Sequence, residues 1–284
     1  MAKIRSHADF FRIVAALALL GATGPVLRAA DAPEFPRNAF GGERTDFDVA
    51  GGRGFVIAPT AARSDGTKPR VWYAPTIQRH PATTLTGLVP QLLAAGFWFC
   101  GDNVGETFAN PASREQFTAF YHYVIEHYGL DRKVCLMPQS RGGLNHYLFA
   151  AGHPDWVQHI AGIYPVADLR SFPGLKRAAP AYRMSESELA APLPLHNPIA
   201  RLAPIARAGI PILHLQGDAD KTVPIDQNSE VVFQRYVELG GVMQLIVITG
   251  EGHNESRKFF ESEALLHFWL TQGKDLHVSV RTIQ

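Results

Sequence analysis

Val134-Cys135-Leu136-Met137-Pro138-Gln139-Ser140-Arg141-Gly142-Gly143 is the stretch on which the reading of this chain turns. A short apolar run ends at Pro138, Ser140 follows, and two glycines open a segment, Gly142 to Ala151, with helical patterning. A buried strand, a sharp turn and a helix in that order lift a serine hydroxyl clear of a sheet and aim a helix N-terminus at whatever bonds to it. The segment departs from Gly-x-Ser-x-Gly, because Pro138 stands at the first glycine position while Gly142 keeps the second. Taken alone, the turn is either the seat of a nucleophile or an ordinary strand-to-helix junction capped by Ser140.

Working outward, short β-like runs alternate with helical patterns. Arg70 to Ala74, Phe97 to Cys100, Lys133 to Met137, His159 to Val166, Pro211 to Leu215 and Gln244 to Ile248 read as strands. Leu85 to Ala95, the segment opened by Asn110-Pro111, Gly142 to Ala151, Asn228 to Leu239 and Glu255 to Thr271 read as helical. Asn caps free backbone N–H groups, and Pro at the first helical position loses no hydrogen bond. This alternation predicts an α/β fold with a mostly parallel central sheet covered by helices on both faces. Residues 169–207 break the rhythm with a proline-rich, partly polar stretch, too long for a simple connection, which reads as a cap-like insertion over a site.

Composition narrows the classes. The 284 residues are 46% hydrophobic, enough for a sizeable core. With 27 basic against 26 acidic side chains and a formal net charge of +1, the chain lacks the basic surplus that nucleic-acid binding needs. Two cysteines are too few for a disulfide scaffold or a four-thiolate metal site. At the start, Lys3, Arg5 and Arg12 precede an uncharged, largely apolar run from Ile13 to Leu27, and Ala29-Ala30 supply small residues before Asp31. That layout predicts a secretory signal in residues 1–30, cleaved near Ala29 or Ala30, and a secreted or periplasmic domain over 31–284. A tail or an uncleaved anchor is the alternative reading of the same pattern. No other stretch is long and apolar enough to span a bilayer, so no membrane span is expected in the mature protein. Export permits a disulfide between Cys100 and Cys135, but their apolar surroundings favour two buried thiols.

Two further segments follow apolar strand-like runs. Gly217-Asp218-Ala219-Asp220-Lys221-Thr222-Val223-Pro224 follows one, and Gly250-Glu251-Gly252-His253-Asn254 follows the last. Both therefore fall at strand C-terminal ends, the edge where open α/β sheets build their sites. A serine hydroxyl needs an imidazole to take its proton, and the imidazole needs a carboxylate to hold its tautomer and stabilise its charge. The order Ser140, Asp, His253 supplies all three. No His-Glu-x-x-His or similar ligand spacing is present, so neither metal nor cofactor is expected. His214, His146, His153 and His159 carry no comparable partner pattern and read as packing or loop residues.

On the Gln139-Ser140-Arg141-Gly142-Gly143 turn, the Gly217-x-x-Asp220-x-x-Val223-Pro224 loop and the Gly252-His253 turn, the sequence resembles the α/β-hydrolase family over nearly all of residues 31–284. More narrowly, it is similar to exported bacterial serine hydrolases of the esterase and prolyl oligopeptidase-like branches. The resemblance implies Ser140 as nucleophile, His253 as base, and Asp220 as acid in preference to Asp218, which becomes a turn residue. It also implies an oxyanion site made by the N–H of Arg141 and one from the loop after Ala74-Pro75, where Thr76 is the first residue with an N–H. The Arg141 side chain has two open roles. It either assists the oxyanion or a substrate carboxylate, or makes a structural ion pair with Asp102 or Glu106.

The function these residues predict is an exported serine hydrolase that cleaves a carboxylic ester through an acyl-enzyme, its partner a small-molecule or glycan ester. A small serine peptidase of prolyl oligopeptidase type and a catalytically inactive binding protein are the rivals.

Overall fold

The computed structural model describes residues 40–76 and 83–284, so the expected export signal in residues 1–30 lies outside the described residues. Nine strands are described: β1 (Arg44–Val49), β2 (Gly52–Ile57), β3 (Arg70–Ala74), β4 (Trp98–Asn103), β5 (Val134–Pro138), β6 (Val157–Ile163), β7 (Ile212–Gly217), β8 (Met243–Ile248) and β9 (Ser279–Ile283). They form one sheet in the order β1-β2-β4-β3-β5-β6-β7-β8-β9. β1 with β2 and β2 with β4 run antiparallel, and every other pairing is parallel. β3 to β8 are almost wholly buried, which is why they read as apolar runs without polar alternation.

Helices are α1 (Val89–Ala94), α2 (Pro111–Tyr128), α3 (Gly142–Gly152), α4 (Leu175–Ala178), α5 (Glu186–Ala190), α6 (Leu193–His196), α7 (Leu202–Arg207), α8 (Ser229–Glu238), α9 (Arg257–Phe260) and α10 (Glu263–Leu270). Period-2 alternation along the strands sends side chains to two cores. Trp72, Cys100, Leu136 and Ile160 face α2, α3, α7 and α8, where Phe117, Tyr147, Ile205 and Val232 pack. Val71, Tyr73, Phe99, Cys135 and Met137 face α1, α9 and α10, against Leu92, Phe259 and Trp269. Cys100 and Cys135 thus project from opposite faces as free, buried thiols, each pushed up to about 12 by burial. Asn110 caps α2 by accepting from the Ser113 N–H at 2.9 Å, and Gly129 ends that helix in the left-handed region at φ +65°.

Several local details differ from the sequence reading. The segment 255–271 is two helices, because Ser262 accepts from the Leu265 N–H and restarts the chain as α10. The 85–95 stretch begins as a 3-10 turn over Thr83–Gly87 before α1. The β1–β2 hairpin, turned at Ala50-Gly51 with both φ positive, and the exposed edge strand β9 had no strong apolar signal. Within 169–207 the described chain forms α4 to α7. Ala178, Tyr182, Leu189 and Leu193 pack on Leu144 and Leu148 of α3 and on Phe108. Among the described residues no helix is long and apolar enough to cross a membrane.

Burial pushes His146, His159 and His214 down to about 3. An unfolded chain protonates such groups near pH 6.5, so the stability they contribute is complete above that pH and is lost as pH falls toward 3. Each histidine adds a slope of about 1.4 kcal/mol per pH unit in that window. Asp102, whose carboxyl burial raises, opposes them with one proton against three. Urea unfolding is expected to show a marked fall in stability from neutral pH into the mildly acidic range. Equal stability across that range would show that the three imidazoles do not stay neutral in the core.

Candidate active site

The turn after β5 is built by close backbone approach. Gln139 N–H bonds to the Ala74 carbonyl at 2.7 Å, Ser140 N–H to Ile163 at 3.0 Å, and Val166 N–H to the Ser140 carbonyl at 2.8 Å. Ser140 is thereby held at φ +50°, a conformation a non-glycine residue adopts only when its surroundings impose it. A Cβ on Gly142 would lie 2.0 Å from the Ala74 carbonyl oxygen, and one on Gly143 would lie 2.3 Å from that of Val166. These two glycines let α3 begin between the ends of β3 and β6. On the neighbouring strand stands Gly162, where a Cβ would lie 2.9 Å from the Pro165 ring, 3.1 Å from His214 and 3.3 Å from the Pro138 ring.

From that turn Ser140 Oγ meets His253 Nε2 at 2.9 Å, and His253 Nδ1 meets Asp220 Oδ2 at 2.8 Å. Asp220 is buried, with Oδ1 accepting from the N–H groups of Thr222 (2.9 Å) and Val223 (2.8 Å). Its position in the loop after β7, beside the His253 loop after β8, joins three sequence-distant segments along the C-terminal edge of the parallel strands. Asp218 instead accepts from the Gly250 N–H at 2.7 Å and braces the turn before His253.

Other predicted residues gather at the same edge. Arg141 pairs with Glu106 rather than Asp102, and its guanidinium lies 5.4 Å from the Phe172 ring. Among the described residues the N–H groups of Gly142, Gly143 and Leu144 bond to the carbonyls of Gln139, Ser140 and Arg141, whereas that of Arg141 makes no such bond. Thr76 follows β3, in space that Gly101 leaves open, since a Cβ there would meet Thr76 Oγ1 at 2.4 Å. Thr76, Asp102, Glu106, Phe117, Arg141 and Asn145 line a cavity of about 10 Å3, room for a water-sized group. Asp102 Oδ2 and Asn145 Oδ1 are buried there without a partner, while Asp102 Oδ1 accepts from the Trp72 indole at 3.1 Å. Desolvation raises the Asp102 carboxyl well above the usual range.

Sequence reasoning missed a supporting shell. Gln139 accepts from the Tyr73 hydroxyl at 2.6 Å and donates to that of Tyr164 at 3.1 Å. Tyr164 in turn donates to the Asn254 carbonyl and lies 4.4 Å from the His253 ring. Gln216 donates to Asp220. A polar residue inside a strand was the available signal for Gln216, but the identity of its partner depends on which loop folds over it. Among the described residues no group of three or more His, Cys, Asp or Glu is placed to hold a metal ion.

A family model for the prolyl oligopeptidase family matches residues 107–275, which include Ser140, Asp220 and His253. Similar solved structures include a puromycin-hydrolyzing peptidase of Mycobacterium tuberculosis, with 17% identity and TM-score 0.64 over 88% of this chain and 43% of that one. Est1E from Butyrivibrio proteoclasticus has 16% identity and TM-score 0.61 over 81% of this chain and 98% of its own. An S-formylglutathione hydrolase from Agrobacterium tumefaciens has 15% identity and TM-score 0.60 over 84% and 97%. The chain spans only 35% to 43% of the first peptidases it matches. No curated protein matches it by sequence. At these identities the solved structures share the α/β-hydrolase fold with this chain, and the family match carries the assignment further: the chain belongs to the prolyl oligopeptidase family of serine hydrolases.

Proposed function

We propose that this serine hydrolase cleaves carboxylic esters through an acyl-enzyme on Ser140. The observation that carries the reading is the unbroken chain Ser140 Oγ, His253 Nε2, His253 Nδ1, Asp220 Oδ2, with separations of 2.9 and 2.8 Å. Neutral His253 takes the serine proton as Oγ attacks the ester carbonyl. Asp220 holds the proton on Nδ1, so that Nε2 is the nitrogen free to accept. The carbonyl oxygen becomes an anion, which the N–H of Arg141, at the start of α3, and that of Thr76 would receive. His253 then protonates the leaving alcohol, water enters, and the same steps release the acid.

One feature supports an ester. The cavity beside Arg141 presents two polar atoms without a partner, Asp102 Oδ2 on a carboxyl that burial favours in its protonated form and Asn145 Oδ1, a donor and an acceptor suited to a hydroxyl on the substrate, as an acylated or methyl-esterified glycan would offer. Export, on the pattern of residues 1–30, belongs to the same proposal. Family membership keeps peptide cleavage as the second reading. Purified protein should turn over p-nitrophenyl acetate and release acid from acetylated or methyl-esterified polysaccharide. A kcat/KM on proline-containing aminoacyl amides that matches or exceeds that on the corresponding esters would overturn the ester assignment.

A further inference from the structure

Behind Asp220, four buried side chains connect in a way that serine, imidazole and carboxylate do not by themselves require. Gln216 Nε2 lies 3.1 Å from Asp220 Oδ2 and 3.1 Å from the Val223 carbonyl. An ionised carboxylate and a carbonyl both only accept, so the Gln216 amide has a single workable orientation. Its Oε1 then faces Ser229 Oγ at 3.0 Å, and the serine donates its one proton there. Ser229 Oγ must therefore accept from His214 Nδ1, 3.1 Å away, which puts the imidazole proton on Nδ1. Bare Nε2 is left to accept from the Tyr147 hydroxyl at 2.5 Å. Burial keeps both titratable members in the forms these directions need, holding His214 neutral and raising the Tyr147 phenol.

We propose that Tyr147, His214, Ser229 and Gln216 form a one-way hydrogen-bond chain that positions Asp220 and sets its strength as the partner of His253. The proposal rests on the reading of Ser140, His253 and Asp220 given above. Every donor points toward the carboxylate, so each bond polarises the next and the last, from Gln216, is strengthened. The chain begins on α3, the helix that opens just after Ser140, and ends in the acid loop after β7. It ties the nucleophile's helix to the carboxylate through the core rather than across the solvent-facing site. These four are positioning residues, since none touches Ser140 or a substrate.

The titratable and charged groups around the chain and His253 include Asp218, which braces the turn before His253. Tyr236 faces Tyr147 from α8, and Tyr164 lies on the His253 ring. Glu255 acts on Tyr164, and Glu251 pairs with Lys258 on the segment that follows β8. On the other side of Ser140 stand Arg141 and Glu106. The variants below leave all of these in place.

The test is the rate at which a fluorophosphonate labels Ser140 across the acid and neutral range, which needs no knowledge of the natural substrate. Tyr147→Phe keeps the ring and removes only the first donor. It is expected to slow labelling about 3- to 10-fold and to move the acidic limb of the profile to higher pH, because a carboxylate with a weaker donor holds the imidazole proton more tightly. Ser229→Ala, which cuts the chain in its middle, should reproduce both changes in a folded protein. Gln216→Met should exceed them, and adding Tyr147→Phe to Gln216→Met should change nothing further. Independent, multiplying effects of Tyr147 and Gln216, or a Tyr147→Phe protein with a lower melting temperature but an unmoved rate and limb, would overturn the chain. A folded wild type that does not label at all would instead overturn the catalytic reading of Ser140, and the role of the chain with it.

Discussion

Ser140→Ala is expected to lower ester turnover by about a thousandfold or more while leaving the fold intact. The substitution removes one atom, and with it the 2.9 Å contact to His253 Nε2. Everything that shapes the turn remains, because the bonds to Ile163, Val166 and Gly143 are made by backbone groups. Alanine at φ +50° carries the same strain as serine, so the cost already present in the wild type is not increased. What survives is the base and the oxyanion donors without a nucleophile, leaving only slow attack by water. Steady-state rates on p-nitrophenyl acetate, with melting temperature measured in parallel, check both halves. Full activity in a folded Ser140→Ala protein would remove the acyl-enzyme mechanism.

Gly142→Ala is expected to be strongly destabilising, since among the described glycines it is the one whose added Cβ would come closest to backbone atoms. Its Cβ would stand 2.0 Å from the oxygen and 2.2 Å from the carbon of the Ala74 carbonyl, and 2.7 Å from Pro75 N. All three are backbone atoms at the end of a buried central strand, so no side chain is available to give way. The same Ala74 carbonyl accepts from the Gln139 N–H, and moving it breaks a bond that sets the turn. A loss of about 3 kcal/mol or more is expected, from overpacking and the broken bond together. In whatever remains folded, a displaced Ser140 should cost roughly a further hundredfold in rate. Gly152→Ala, at the other end of α3, is the control: a Cβ there meets nothing within 4 Å. It should be neutral or stabilise by about 0.5–1 kcal/mol. Denaturant midpoints for the two variants give the comparison, and similar midpoints would mean that α3 is not wedged against β3.

The parts of the site legible in the sequence were those whose chemistry is local. Ser140 announced itself by a strand ending at Pro138 and a helix opening at Gly142, and His253 and Asp220 by turn residues after apolar runs. Asp102 reads as one more polar loop-edge residue, and nothing nearby in sequence says that Trp72 covers one of its oxygens while the other is left without a partner. Arg141 had two candidate acids, and only the folded loop after β4 selected Glu106. His214 read as a packed histidine. It is packed, and its two ring nitrogens meet Tyr147 and Ser229, which come from two different helices.

By itself, then, the sequence determined what depends on neighbours along the chain: alternating strands and helices, a sharp serine turn, the helix cap at Asn110, and the order Ser140, Asp220, His253. Hydrophobic periodicity and turn chemistry are short-range, and they survive in one dimension. Only the tertiary structure decided what depends on contact between distant segments. It decided the antiparallel edge at β1 and β2, the pairing of Arg141 with Glu106, the unpartnered oxygens beside Arg141, and which polar groups meet behind Asp220. A buried polar group takes whichever partner the fold brings within hydrogen-bond reach, and that choice is settled by packing rather than by sequence spacing.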